Sequence, residues 1–262
     1  MIKKADVEKQ VKEMFALGLH LGHKKSRVHP KARPFIHSFV NGTSIIDLSQ
    51  TAKQLNLAVT YIKEQIANDK IPLVVATKKI SAKIVTPMAI ENKIPFIANK
   101  WMSGLLTNFD SVIKNVKTML KLQEGQTNGD WSKFVKHEQF KLKKQLLRLK
   151  RFYGGIELLT RRPDFLIILD PKHEKNALRE AKQLNIPVVA ITDTNTDPNL
   201  IQYPVIANDD SVACIEYLLK KLLVSKPVEM EKKTETVKIE KKEVKKLDKK
   251  VKLKNKSSFI FL

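Results

Sequence analysis

The chain has 262 residues, 42% of them hydrophobic, and a formal net charge of +22. Residues 226–262 hold 13 Lys against 6 acids, so they carry +7 and residues 1–225 carry +15; so basic a body repels itself and calls for a large anionic partner, nucleic acid or an anionic membrane. The single cysteine, Cys214, excludes disulfides and cysteine-built zinc sites, and no run approaches the ~18 apolar residues of a membrane span.

With no apolar signal block at the start, a soluble protein of a reducing, cytosolic compartment is expected. In chain order, residues 5–17 predict a helix with Val7, Val11, Met14 and Phe15 on one face and Gly18 just past its end. A loop follows, GHKKSRVHPKARP from Gly22 to Pro34, with two histidines, five Lys and Arg and no acid. FIHSFV, Asn41-Gly42 and TSIID then read as a β-hairpin closed by a type I′ turn. Ser49 is the expected cap of a helix carrying Leu55, Val59, Ile62 and Ile66. IPLVVAT (71–77) reads as a buried strand, and residues 79–92 as a helix that Pro87 should interrupt in its second half.

IPFIAN (94–99), DFLIILD (164–170) and IPVVAIT (186–192) are further strand-like runs, with helical patterns at 173–184 and 211–224. Strands buried on both faces look continuous rather than alternating, so the expected fold is α/β around a parallel sheet flanked by helices. One segment breaks the rhythm. Residues 108–153 carry two apolar stripes, Val112, Val116, Met119 and Leu120, then Phe140, Leu142, Leu146 and Leu149, separated by EGQTNGD. They read as an antiparallel helical hairpin inserted into the body, whose second half (133–151) has eight Lys and Arg against the single acid Glu138. The expected organisation is a discontinuous α/β domain (1–107 and 154–225), the hairpin (108–153) and a Lys/Glu-rich tail (226–262). With no core-forming pattern, the tail is expected to be disordered.

None of the eight glycines builds a dinucleotide or P-loop fingerprint after a strand, and no nucleophile elbow occurs. The pattern is that of a nucleotide-binding fold with the phosphate cradle missing. Acids do gather where such a sheet places a site: Asp170 and Asp193 end strand runs, and Asp209-Asp210 follow YPVIAN. With His20 or His23 nearby they would suit zinc or magnesium. The plainer reading makes Asp170 a cap ahead of Pro171 and Asp209 or Asp210 a cap for the next helix.

The cations point outward. Lys24, Lys25, Arg27, Lys31 and Arg33 lie in the opening loop, where they can follow a phosphate backbone. Lys78 and Lys79 start a helix after IPLVVAT, where side chains and backbone N–H groups could face one phosphate. Lys100, Arg161 and Arg162 hold similar loop positions, and Arg148 and Arg151 sit on the basic half of the hairpin. Aromatic residues are few and unclustered, so shape and phosphate recognition of folded RNA fits better than base reading. Trp101 reads as a packing residue. A metal-dependent phosphohydrolase and a membrane-surface protein are the competing readings; the first lacks a base constellation and the second lacks large apolar anchors.

FALGLHLGHKKSRVHPKARPFI (15–36), SIIDLSQT (44–51), KWMSGLLTNF (100–109), YGGI (153–156), PDFLIILDPKHEKNALREAKQLNIPVVAITDTNTDP (163–198) and IANDDS (206–211), in this order, resemble bacterial-type small ribosomal subunit protein two. The chain departs from that family's pattern at Val28-His29, where Trp-Asn is usual, and at Ser103-Gly104, where Gly-Gly is usual. The resemblance implies a flavodoxin-like domain with a protruding coiled-coil hairpin. It further implies a structural, non-enzymatic role in the small ribosomal subunit, with small-subunit ribosomal RNA and neighbouring ribosomal proteins as partners, among them the large messenger-binding protein. It makes the cations named above, with His29, the expected RNA contacts, and links His23 to Asp193, Asp209 or Asp210 through the family's metal-binding pocket. No cofactor is required on this reading, though a structural zinc or magnesium ion would suit that pocket. No membrane partner and no homo-oligomer are expected, and the ribosome of a cytoplasm or an organelle is the expected location.

Overall fold

The computed structural model describes residues 4–223; the tail at 226–262 lies outside them. Helix α1 (Lys4–Ala16) ends in a Schellman turn, with Gly18 at φ +83°. Leu19 N–H returns to the Met14 carbonyl and Gly18 N–H to that of Phe15, and Met14 and Leu19 are both fully buried. Phe15 departs from its expected face. It is 60% exposed and stacks on His20 at 4.3 Å, because the buried arc of α1 is narrow and Met14 fills it.

The opening loop is more ordered than its composition suggests. It contributes β1 (Leu21–Lys24), which pairs antiparallel with β3 (Thr43–Ile46), as does β2 (Ile36–Val40), giving a small sheet ordered β1-β3-β2. The hairpin turn has positive φ at both Asn41 and Gly42, as a type I′ turn requires. Helix α2 (Leu48–Ala67) is capped by Asp47, not by Ser49: the Asp47 carboxylate accepts from Ser49 N–H at 2.9 Å. Asp47 stands one residue before the helix, where a carboxylate can reach back to the free N–H groups of the first turn.

Next come β4 (Pro72–Val75), α3 (Lys79–Glu91) and β5 (Phe96–Ile97). Pro87 does not interrupt α3, since Pro87 and Lys83 are both exposed and solvent can serve the carbonyl that loses its partner. Buried Val85 and Ala89 keep the helix seated across that gap. Helices α4 (Phe109–Thr127) and α5 (Lys136–Tyr153) fill the long insertion and pack together through Val112, Val116, Met119 and Leu146. Phe140, assigned to that seam by spacing, is 66% exposed. Then follow β6 (Phe165–Leu169), α6 (Lys175–Gln183), β7 (Val188–Thr192), β8 (Tyr203–Ile206) and α7 (Val212–Leu222).

The main sheet is parallel with order β5-β4-β6-β7-β8. Every residue of β6 and β7 is buried, which is why their sequences read as unbroken apolar runs. Side chains of β6 alternate between two cores. Phe165, Ile167 and Leu169 join α1, α2, α3 and α7, whereas Leu166 and Ile168 join α4, α5 and α6. Burying side chains of this size contributes about 1.5–3 kcal/mol each, so the central strands dominate the stability of the body. The chain returns from α5 beneath β5 at Gly155, where an added Cβ would lie 2.2 Å from the Phe96 carbonyl oxygen. Only glycine permits that approach.

Candidate nucleic-acid interface and acidic cluster

In a parallel sheet all carboxyl ends share one edge, and here that edge gathers Lys78 after β4, Asp170 after β6, Asp193 after β7 and Asp209-Asp210 after β8. The small sheet brings His23 to the same place: its Nδ1 lies 2.5 Å from Asp193 Oδ2 and its Nε2 2.9 Å from Asn195 Nδ2. Gly22 permits this contact, since a Cβ there would come within 2.6 Å of Ser44 Oγ and 2.9 Å of Thr194 Cγ2. Ser44 Oγ donates to the His23 carbonyl at 2.8 Å, and His23 N–H donates to Thr194 Oγ1 at 3.1 Å. The hydrogen bond to Asp193 raises the pKa of His23 against the opposing effect of burial. His20 stays out of the cluster, stacked on Phe15.

Ligand atoms of His23, Asp193 and Asp210 lie within 4.8 Å of one another. Asp209, the residue before Asp210, is not one of these three. It is 3% exposed, and burial together with Asp170, opposed by Lys78, pushes its pKa up to about 7. Its Oδ2 has no hydrogen-bond partner among the described residues. Asp209 and Asp210 do not cap α7, whose N-cap is Ser211 without a side-chain capping bond; their oxygens turn to Lys78 instead. Asp170 does not cap a helix, since α6 starts only at Lys175 with Glu174 at its N-cap; its carboxylate closes the turn at 171–173 instead, accepting from Lys172 N–H at 3.1 Å and His173 N–H at 3.2 Å, with its backbone at φ +59°. An imidazole nitrogen with carboxylates at this spacing is a zinc-type donor set, and the orphaned buried oxygen of Asp209 fits an oxygen ligand.

Lys78, expected to face a phosphate, directs its ammonium into this nest. Nζ lies 2.5 Å from Asp210 Oδ1, 3.2 Å from Asp209 Oδ1 and 3.7 Å from Asp170 Oδ2. The start of α3 is further occupied by Glu174, a buried carboxylate that accepts from Thr77 N–H at 2.9 Å and from the Thr77 hydroxyl. That carboxylate holds the place where a doubly wound fold would hold a ligand phosphate.

The remaining cations are exposed. Lys24, Lys25, Arg27 and Arg33 project from the opening loop, with Lys25 Nζ 5.7 Å from the Phe39 ring centroid. Lys31 pairs with Asp197 at 2.9 Å, and His29 N–H donates to the Thr194 carbonyl at 2.8 Å, so the loop is laced to the turn after β7. Lys79 and Arg151 line one groove of about 650 Å³ between α3, β5 and α5, joined there by Lys83 and Asn99. Lys100 and Arg148 are exposed nearby in sequence to that wall. Arg161 and Arg162 precede β6 and so lie at the opposite edge of the sheet, where Arg161 pairs with Asp164 at 3.1 Å.

Sequence reasoning missed a second cationic surface. Lys172, Lys175, Arg179 and Lys182 rim a cleft of about 430 Å³ beside His29, over Pro171, Leu178 and Leu200. The signal was available: Lys175, Arg179 and Lys182 recur at i, i+4 and i+7 on one face of α6, opposite buried Ala177 and Ala181. Trp101 is buried as expected, donating to Glu180 Oε1 at 3.0 Å; Gly104 N–H and Leu106 N–H also donate to that carboxylate. Glu180 thereby shapes the whole 101–106 loop. Cys214 is buried, and burial raises its thiol pKa.

A five-stranded parallel sheet with helices on both faces puts the molecule in the doubly wound, Rossmann-like class. The family model described as Ribosomal protein S2 matches residues 14–226. Small ribosomal subunit protein uS2 of Dehalococcoides mccartyi strain BAV1 is 37% identical over 212 residues, covering 81% of this chain and 86% of that protein. The uS2 protein of Desulfatibacillum aliphaticivorans is 37% identical over 216 residues, covering 82% and 74% respectively. The chain belongs to the ribosomal protein S2 family.

Proposed function

We propose that this chain is a structural constituent of the small ribosomal subunit, binding small-subunit ribosomal RNA and neighbouring ribosomal proteins, and acting in translation rather than as an enzyme. The observation that carries the reading is the family match over residues 14–226, to which the relatives' printed names add the small subunit. The charge distribution supports it: four cations of the opening loop (Lys24, Lys25, Arg27 and Arg33) are exposed and have no carboxylate partner among the described residues. RNA contact is assigned to these, to Lys31 and His29, to Lys79, Lys100, Arg148 and Arg151, and from the far sheet edge to Arg161 and Arg162. Lys78, included from its sequence position, serves the acidic cluster.

Under this reading residues 108–153 form a protruding, coiled-coil-like module on a flavodoxin-like body, and docking of the large messenger-binding protein is a second task. The location is the ribosome, of a cytoplasm or of an organelle. No helix among the described residues is long and apolar enough to cross a membrane. His23, Asp193 and Asp210 would hold a structural zinc or magnesium ion, zinc being favoured by the imidazole nitrogen, and Asp209, outside that triad, would add its unpaired oxygen. Such an ion would tie the small sheet to the carboxyl ends of β7 and β8.

Sucrose-gradient sedimentation of a cell lysate at low and at high salt tests the main assignment. The protein should travel with small subunits at low salt and leave them as salt rises. Recovery at the top of the gradient under both conditions would rule the assignment out.

A further inference from the structure

We propose that Lys78 is the resident cation of the acidic cluster, its ammonium standing in for a divalent ion and setting how tightly any such ion is held. The inference rests on the metal reading above and extends it to a residue outside the ligand set. Four oxygens from three residues surround Nζ: Asp210 Oδ1 at 2.5 Å, Asp209 Oδ1 at 3.2 Å, the Asp209 carbonyl at 3.3 Å and Asp170 Oδ2 at 3.7 Å. An all-oxygen shell of carboxylates and a backbone carbonyl is the chemistry of a hard cation site. An ammonium with three protons fills it at the cost of one charge where an ion would bring two.

Asp210 is the shared element. Its carboxylate holds the ammonium and also lies within 4.8 Å of the ligand atoms of His23 and Asp193. A dication bound to that triad would therefore stand beside a fixed positive charge. The Lys78 side chain is only 23% exposed, so bulk water screens that repulsion poorly. A second, independent feature marks the place as under-filled. Asp209 is 3% exposed and its Oδ2 finds no partner among the described residues, although its Oδ1 is engaged by Lys78. The ammonium thus satisfies one side of the cluster and leaves an acceptor over.

The position of Lys78 in the fold explains how one residue can do this. It lies in the turn between β4 and α3, while Asp170 follows β6 and Asp209-Asp210 follow β8. A single side chain clips together three carboxyl ends of the sheet, a task that structural metals perform elsewhere. The clip holds the three strand ends together without an ion, and makes the affinity for one a matter of how readily Lys78 withdraws.

Zinc titration of the full chain against a chromophoric chelator, repeated with magnesium alone, tests this on wild type, Lys78→Met, Lys78→Gln and Lys78→Arg. The two neutral variants should bind zinc at least tenfold more tightly than wild type, and Lys78→Arg should stay near wild type. Zinc should also raise the melting temperature of the neutral variants more than that of wild type. Equal affinities in wild type and both neutral variants would overturn the role of Lys78 while leaving the metal site intact. Binding by the neutral variants alone would support the role of Lys78 and remove the metal from the native protein. No zinc bound by any of them, or a neutral variant that stays unfolded with zinc present, would overturn the proposal.

Discussion

At Asp209 a carboxylate is enclosed by protein, one oxygen shared with Lys78 and the other unpaired among the described residues. Burial and the neighbouring Asp170 raise its pKa from the ordinary carboxylate range to about 7. Between those two values the folded state binds a proton that the unfolded chain has lost, so stability falls as pH rises from about 4 to about 7. Below that window the contribution is complete, and above it the loss is complete. His23, whose pKa is also raised, acts in the same direction as pH passes through and above its ordinary value. Urea unfolding in chelator at pH 5, 6, 7 and 8 should show wild type losing about 2–4 kcal/mol across this range. Asp209→Asn should flatten most of that slope. Parallel pH profiles for the two proteins would mean that the carboxylate is ionised throughout.

Two adjacent glycines at the end of α5 separate helix propensity from packing. Gly154 has φ −59°, and a Cβ there meets nothing closer than Glu157 Oε1 at 4.0 Å. Gly154→Ala should therefore stabilise the protein by about 0.4–1 kcal/mol through the unfolded chain. Gly155→Ala drives a methyl into the Phe96 carbonyl at 2.2 Å and should cost about 1–3 kcal/mol or more by pushing β5 off β4. Thermal unfolding of both variants checks the pair; matching shifts would place the constraint elsewhere. Residue type cannot distinguish the two, because what differs is the Phe96 backbone, 59 residues before Gly155. The same limit explains which element readings succeeded. The Asn41-Gly42 turn and the continuous strands were legible because their cause is local: positive φ in one case and burial on both faces in the other. The Asp47 cap, the uninterrupted helix at Pro87 and the outward Phe15 depend on which side of an element meets the core, and periodicity leaves that open by a residue or two.

Over the whole molecule, strand order was beyond the sequence, yet it decides which cations share a surface. His23 and the acids at three strand ends were legible as a group because a parallel sheet collects carboxyl ends; the intrusion of Lys78 was not, since its spacing suits a phosphate equally well. The opening loop is laced to the turn after β7 and reaches the α6 cleft through His29, whereas Arg161 sits at the other edge and is held by Asp164. Phosphate contacts release counterions, and each one adds about 0.7–0.9 to the slope of log affinity against log salt. Replacing Lys24, Arg27 and Arg33 together by alanine should therefore lower that slope by about 2–3 for small-subunit RNA and weaken binding without changing the fold. Lys175→Ala with Arg179→Ala should lower it by about 1–2 if the cleft joins the same surface. Arg161→Ala should change it least, because its charge is already paired. Filter binding across a salt series measures all three. If the loop variant kept the wild-type slope while Arg161→Ala lost several contacts, the RNA would have to lie against the opposite edge of the sheet.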